Sequence, residues 1–143
     1  MLNNLAFDQN EKILFDHLEE NLFPNKKKKI MIVDDDQDFR LSLCELFVEE
    51  GFSVMTAKDG EVGLNNLIHQ RDLPDLIILD IIMPIKNGLE FRREQLQLES
   101  INHIPVLFLT GQGLVENETC LLKPFDEGTL LEKVKSILNE LIF

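Results

Sequence analysis

Tryptophan and tyrosine are absent from this 143-residue chain, so its ten phenylalanines are the only aromatic side chains. Cysteine is nearly absent. Cys44 and Cys120 lie far apart in apolar contexts, which excludes a disulfide scaffold and suits a reducing compartment. Basic charge is scarce: 14 Lys and Arg stand against 26 Asp and Glu, a net charge of −12. Phosphates would repel such a surface, which argues against a nucleic-acid or acidic-membrane binder. No apolar run approaches the roughly 20 residues that span a bilayer. The N-terminus lacks a basic-then-apolar leader, so a cytoplasmic protein is expected. Internal repeats and low-complexity segments are also missing. What remains is ordinary for a soluble globule: 44% apolar and 28% charged residues, in a length that buries a core without staples.

The chain divides into an extension and a domain, residues 1–25 and 26–143. In the extension, Asp8 and Glu11 have capping-box spacing. Leu14, Leu18 and Leu22 recur at helical spacing with Ile13 beside them, and Pro24 closes the segment. Such a helix is marginal alone and must lay its apolar face on something. Lys26 to Lys29 read as a solvated linker or as a docking patch for an acidic partner.

The domain alternates strands with helices. Ile30-Met31-Ile32-Val33, Leu76-Ile77-Ile78-Leu79 and Val106-Leu107-Phe108-Leu109 read as buried strands, as do Phe52 to Ala57 and the shorter Cys120-Leu121-Leu122. Helices are predicted over 37–50 (stopped by Gly51), 60–70 and Leu89 to Leu98. The final helix carries Leu130, Leu131, Val134, Ile137, Leu138 and Leu141. Apolar strands between helices indicate an open, doubly wound parallel sheet covered on both faces.

Ligands bind such sheets beyond the carboxyl ends of the strands. There the strands deliver Asp34 and Asp35, then Asp80, then Thr110, then Lys123 followed by Pro124. Clustered carboxylates raise one another's pKa unless a cation neutralises them. Hard oxygen ligands in a shallow loop surface suit Mg²⁺. Lys123 supplies a point charge for a phosphoryl group and Thr110 a hydroxyl donor. The set forms a phosphoryl-transfer site with Asp80 as nucleophile. Two rival motifs fail on the letters. Asp34, Asp36, Asp38, Ser42 and Glu45 match a calcium-loop spacing, but Phe39 stands where that loop needs glycine. The phosphatase pattern D-x-D-x-[TV] fails because Asp38 holds its last position.

The segments KKIMIVDDD, LIILDIIMPIKNG, VLFLTG and LLKPF, in that order, resemble the receiver domain of bacterial two-component response regulators over about residues 27–143. The resemblance implies a five-stranded flavodoxin-like α/β sheet of order 2-1-3-4-5. It implies that Asp80 accepts a phosphoryl group from a sensor histidine kinase or a histidine phosphotransfer protein. Transfer and autodephosphorylation would be self-catalysed signalling steps rather than metabolic catalysis. It also implies Mg²⁺, with Mn²⁺ able to substitute, held by Asp35 and Asp80 directly, by Asp34 through water and by the backbone carbonyl of Ile82. Thr110 and Lys123 would contact the phosphoryl oxygens.

Two departures stand out. The family's aromatic switch position, three before the lysine, is Cys120, which reads as an inert thiol or as a redox sensor. Only 12 residues separate Thr110 from Lys123, too few for a fifth strand plus a full crossover helix. The fourth helix is therefore expected to be shortened or missing. Part of one sheet face should lie bare, and Ile13, Leu14, Leu18 and Leu22 would cover it, form a dimer contact, or pack elsewhere. With no output domain after the last helix, the expectation is a stand-alone receiver that signals through a downstream protein target. A pseudo-receiver acting as a constitutive interaction module and a phosphate carrier in a relay are the alternatives.

Overall fold

Three of the five apolar runs, residues 30–33, 76–79 and 106–109, are too short for helices and too apolar for exposed strands, and they become the middle of a parallel sheet. The computed structural model describes residues 8–22 and 26–140. The elements are α1 (Gln9–Leu22), β1 (Lys29–Val33), α2 (Gln37–Glu49), β2 (Ser53–Ala57), α3 (Gly60–His69), β3 (Leu76–Asp80), α4 (Gly88–Leu96), β4 (Val106–Thr110), β5 (Thr119–Leu122) and α5 (Glu127–Glu140). The strand order is β2-β1-β3-β4-β5, and every neighbouring pair is parallel. Strand pleating sends alternate residues to opposite faces. Met31, Val33, Ile77, Leu79, Val106 and Phe108 pack with Leu64, Leu67 and Phe91 of α3 and α4. Ile30, Ile32, Leu76, Ile78, Leu107 and Leu109 pack with Leu43 and Phe47 of α2 and with Leu130, Val134 and Leu138 of α5. Both faces are dry, which is why these strands read as unbroken apolar runs.

Local chemistry sets the helix ends. Asp36 caps α2 by accepting the Phe39 N–H, and Asp59 caps α3 through the Val62 N–H. Asn87 and Glu90 form a reciprocal capping box on α4. Each cap contributes on the order of 1 kcal/mol. Gly51 ends α2 at φ 92, with Phe52 N–H returning to Phe47 O and Gly51 N–H to Val48 O. That is a Schellman turn, which only glycine enters without strain.

No helix joins β4 to β5 among the described residues, as the short spacing requires. The bare sheet face expected to result is smaller than anticipated. Phe108 on that face is fully buried. The 111–118 loop covers it with Val115, and two side chains, Arg92 and Cys120, hold the loop down. Arg92 of α4 meets Glu118 at 3.1 Å, with both side chains largely buried. The Cys120 thiol accepts the Val115 N–H at 3.2 Å and also faces the carbonyls of Val115 and Glu118. What stays open is a shallow groove of about 680 Å³ along β5, lined by Leu114, Cys120, Leu122 and Phe125.

The extension forms α1, and its capping box is present: Glu11 N–H donates to Asp8, and Asp8 N–H to Glu11. Pro24, its expected stop, and Leu141 of the final stripe lie outside the described residues. The expected cover of the bare face by α1 is corrected. Ile13, Leu14, Leu18 and Leu22 are all exposed. α1 instead meets the domain through Lys12, whose Nζ lies 3.4 Å from His103 Nδ1. His103 precedes β4, so this contact sits at the amino ends of the strands.

Candidate functional site at the carboxyl ends of the strands

The parallel register brings the strand ends level. Val33 pairs with Leu79, Asp80 with Leu109 and Thr110 with Leu122. The residues just beyond therefore share one edge of the sheet. Asp34 follows β1 and is almost fully buried. Its Oδ1 accepts the Asp36 N–H at 2.9 Å, and its carbonyl accepts Arg40 Nη1 at 2.7 Å. Asp80 ends β3 and accepts the Ile81 N–H at 2.8 Å. Asp34, Asp35 and Asp80 each offer a carboxylate oxygen within 4.8 Å of the others. Asp35 faces solvent, so the cluster opens outward on that side.

The remaining edge residues complete a pocket of mixed charge. Lys123 N–H donates to the Thr110 carbonyl at 2.8 Å, which places Lys123 beside the carboxylates. Its Nζ lies 3.8 Å from Asp80 Oδ1 and 3.9 Å from Asp34 Oδ2. It also sits 4.6 Å above the Phe39 ring, an electrostatic attraction to the ring face that helps hold the ammonium inward. Phe125 supports Phe39 edge-on. Thr110 is buried, and its Oγ1 accepts the Gln112 N–H at 3.0 Å. Ile82 lies two residues past Asp80, with an exposed side chain. Cys120 stands apart from this cluster, engaged with the 111–118 loop. α1 and its stripe are at the other end of the sheet.

Burial dominates the electrostatics. It pushes the Asp34 carboxyl up to about 6 against the pull of the Asp36 N–H, and Asp80 and Asp35 add to the rise while Lys123 opposes it. Burial also raises Asp80, with Lys123 and the Ile81 N–H opposing. Three carboxylates thus share one ammonium, and the excess negative charge adds to the rise that burial causes at Asp34 and Asp80. An all-oxygen donor set with surplus charge and one open side fits a hard divalent cation that retains water.

Three contributors escaped the sequence reading. Phe39 registered only as a residue of a predicted helix that breaks a calcium-loop spacing, and Arg40 did not register at all. Their position in the first turn of a helix after an acidic triplet was the available signal. The third is Gly88, where a Cβ would lie 2.2 Å from the Asp80 carbonyl oxygen. Glycine lets α4 start against the backbone of Asp80.

Comparison with known proteins agrees with this geometry. Residues 30–135 match the response regulator receiver domain family. The transcriptional regulatory protein CpxR of Klebsiella pneumoniae is 36% identical over 120 residues, 78% of this chain and 49% of that protein. The probable transcriptional regulator ycf29 of Pyropia yezoensis is 37% identical over 80% of this chain and 53% of its own length. The chain spans about half the length of these curated relatives. Among solved structures, a CheY-like receiver domain protein from Methanospirillum hungatei aligns with a TM-score of 0.73 and 27% identity, covering 81% of this chain and 97% of that one. Chemotaxis protein CheY4 of Vibrio cholerae aligns at 0.71 and 29%, covering 78% and 99%.

Proposed function

The chain belongs to the response regulator receiver domain family, and from that premise we propose that Asp80 is its phosphoacceptor. A carboxylate oxygen of Asp80 attacks phosphorus in line, and the new P–O bond forms as the P–N bond to a donor phosphohistidine breaks. The donor is a sensor histidine kinase or a histidine phosphotransfer protein. Lys123, already 3.8 Å from Asp80 Oδ1, neutralises charge on the incoming oxygens. Thr110 turns its hydroxyl from the Gln112 N–H to donate to one of them. Asp34, Asp35, Asp80 and the Ile82 carbonyl would hold Mg²⁺ or Mn²⁺, which supplies further charge neutralisation for phosphoryl transfer. The phosphorylated domain signals through contacts with a downstream protein.

The observation that carries this reading is the convergence of Asp34, Asp35, Asp80 and Lys123 at one sheet edge. The test is incubation with Mg²⁺ and acetyl phosphate, followed by intact mass measurement. Wild type should gain one phosphoryl group and Asp80→Asn none. An adduct that persists in Asp80→Asn rejects Asp80. A second reading, a constitutive interaction module, draws support from the Cys120 thiol, which pins the loop where a mobile ring is usual. It predicts no adduct in wild type with any phosphodonor.

A further inference from the structure

The ammonium of Lys123 stands beside two carboxylates and closes on neither. Its Nζ lies 3.8 Å from Asp80 Oδ1 and 3.9 Å from Asp34 Oδ2. A charge-assisted hydrogen bond would be about 2.7–2.9 Å, and a flexible four-carbon stem could close that gap. What the ammonium does meet is a ring face. Nζ lies 4.6 Å from the Phe39 centroid, inside the roughly 6 Å reach of cation–π attraction. The ring attracts the ammonium as the carboxylates do. It adds no negative charge to a pocket that already gathers Asp34, Asp35 and Asp80.

The ring is fixed relative to the acids with which it shares Lys123. Phe39 lies in the first turn of α2, and its N–H donates to Asp36 Oδ1 at 3.1 Å. The Asp36 N–H donates in turn to Asp34 Oδ1 at 2.9 Å. Phe125 meets the Phe39 ring edge-on, with centroids 6.3 Å apart. Both rings pack against the core between the sheet, α2 and α5. Phe125 follows Lys123 by two residues, so the lysine's own segment braces the ring. Taking Asp80 as the phosphoacceptor, on which this rests, we propose that Phe39 is a positioning residue for phosphoryl transfer. Its ring face anchors the Lys123 ammonium near Asp34 and Asp80 without a hydrogen bond to either. An ammonium closed onto Asp80 would occupy an oxygen that must attack phosphorus. One swung into solvent would leave the incoming oxygens unneutralised. The anchored ammonium avoids both and needs little rearrangement when the phosphoryl group arrives. If the ring were only filler between α2 and α5, its electrons would not matter.

Progressive fluorination of the Phe39 ring tests this, because fluorine drains negative charge from the ring face while changing its shape little. The full chain is made with no, one, three or five ring fluorines at position 39. The first readout is the rate of phosphorylation by acetyl phosphate with Mg²⁺, followed by intact mass. The second is the NMR shift of the Lys123 ε-methylene protons in Mg²⁺-free protein, assigned with Lys123→Arg. A ring face beneath the ammonium shields those protons and moves them upfield. Rate and upfield shift should both fall stepwise with fluorine number, the rate by about fivefold or more at full fluorination. Urea midpoints should stay level across the series. Phe39→Leu should erase the upfield shift and Phe39→Tyr should keep it. A rate that stays flat across the series overturns the proposal. So does a rate that falls only in step with the urea midpoint, or an upfield shift that survives in Phe39→Leu. No adduct in the unfluorinated protein rejects Asp80 as phosphoacceptor and this proposal with it. An adduct there with a flat series rejects this proposal alone.

Discussion

The two ends of the sheet handle charge in opposite ways. At the amino end, opposite charges and hydrogen-bond partners are matched. Lys29 pairs with Asp72, its N–H donates to Asp75 at 2.8 Å, and Lys26 pairs with Glu19. At the carboxyl end, Asp34, Asp35 and Asp80 crowd together with Lys123 nearly 4 Å away. Backbone strain falls on the same end. Ile85, in the loop after Asp80, adopts φ 69, a region that β-branched residues avoid. One end is arranged for stability. The other holds like charge and strain that folding alone would not select, which is the expected signature of a site.

Removing the crowded charge should have the largest effect. Asp34→Asn should stabilise the Mg²⁺-free protein by about 1–3 kcal/mol in urea denaturation at neutral pH, because a buried unneutralised carboxylate is lost. The same change should remove most of the stabilisation that Mg²⁺ gives the wild type. A destabilised variant would place Asp34 among the structural acids.

Acidity should separate the two ends by sign. The Asp34 carboxyl, raised to about 6, opposes folding when ionised. Its unfavourable contribution is full above that pH and vanishes below the ordinary carboxylate value. His103 behaves inversely. Partial burial, then nearby Lys12, lowers it to about 4, so stability is lost as the pH falls from its ordinary value toward that point. Denaturation midpoints in Mg²⁺-free buffer between about pH 7.5 and pH 4.5 should fall more steeply with acid in Asp34→Asn than in wild type. In His103→Gln they should fall less steeply or rise. The His103 slope should be the smaller one, since that residue is exposed. Parallel profiles for all three proteins would break the contrast.

At the matched end, Asp75→Ala should destabilise by about 1 kcal/mol by depriving the Lys29 N–H of its acceptor. It should leave phosphorylation by acetyl phosphate unchanged. At the strained end, Ile85→Gly should stabilise by up to about 1 kcal/mol, because glycine takes positive φ freely while also loosening the unfolded chain. No gain at Ile85 would place the strain elsewhere.

Much of this contrast was legible in the letters. A strand such as Ile77-Ile78-Leu79 ending in Asp80 needs no tertiary information, because burial on both faces writes an apolar run and the strand end writes the acid. The order of such runs was enough to bring Asp34, Asp35, Asp80, Thr110 and Lys123 to one edge. The short spacing between Thr110 and Lys123 likewise excluded a full crossover helix. The cover for that gap was not legible. Arg92 and Glu118 are 26 positions apart, and nothing local pairs them. The thiol of Cys120 reads as apolar filler until the Val115 N–H is seen to reach it.

The sequence by itself determined the strands and the acidic edge, because short-range pattern and chain connectivity dictate both, while the strand order came from the resemblance of four segments to receiver domains. Tertiary structure alone decided which face α1 turns to the domain. A 14-residue helix with its apolar stripe on one side could dock either way. The outcome turns on a long-range contact, Lys12 with His103, that no periodicity encodes. The same holds for the electrostatics of the site. Three acids in a sequence are three ordinary carboxyls, and only burial in the folded chain raises the Asp34 carboxyl to about 6.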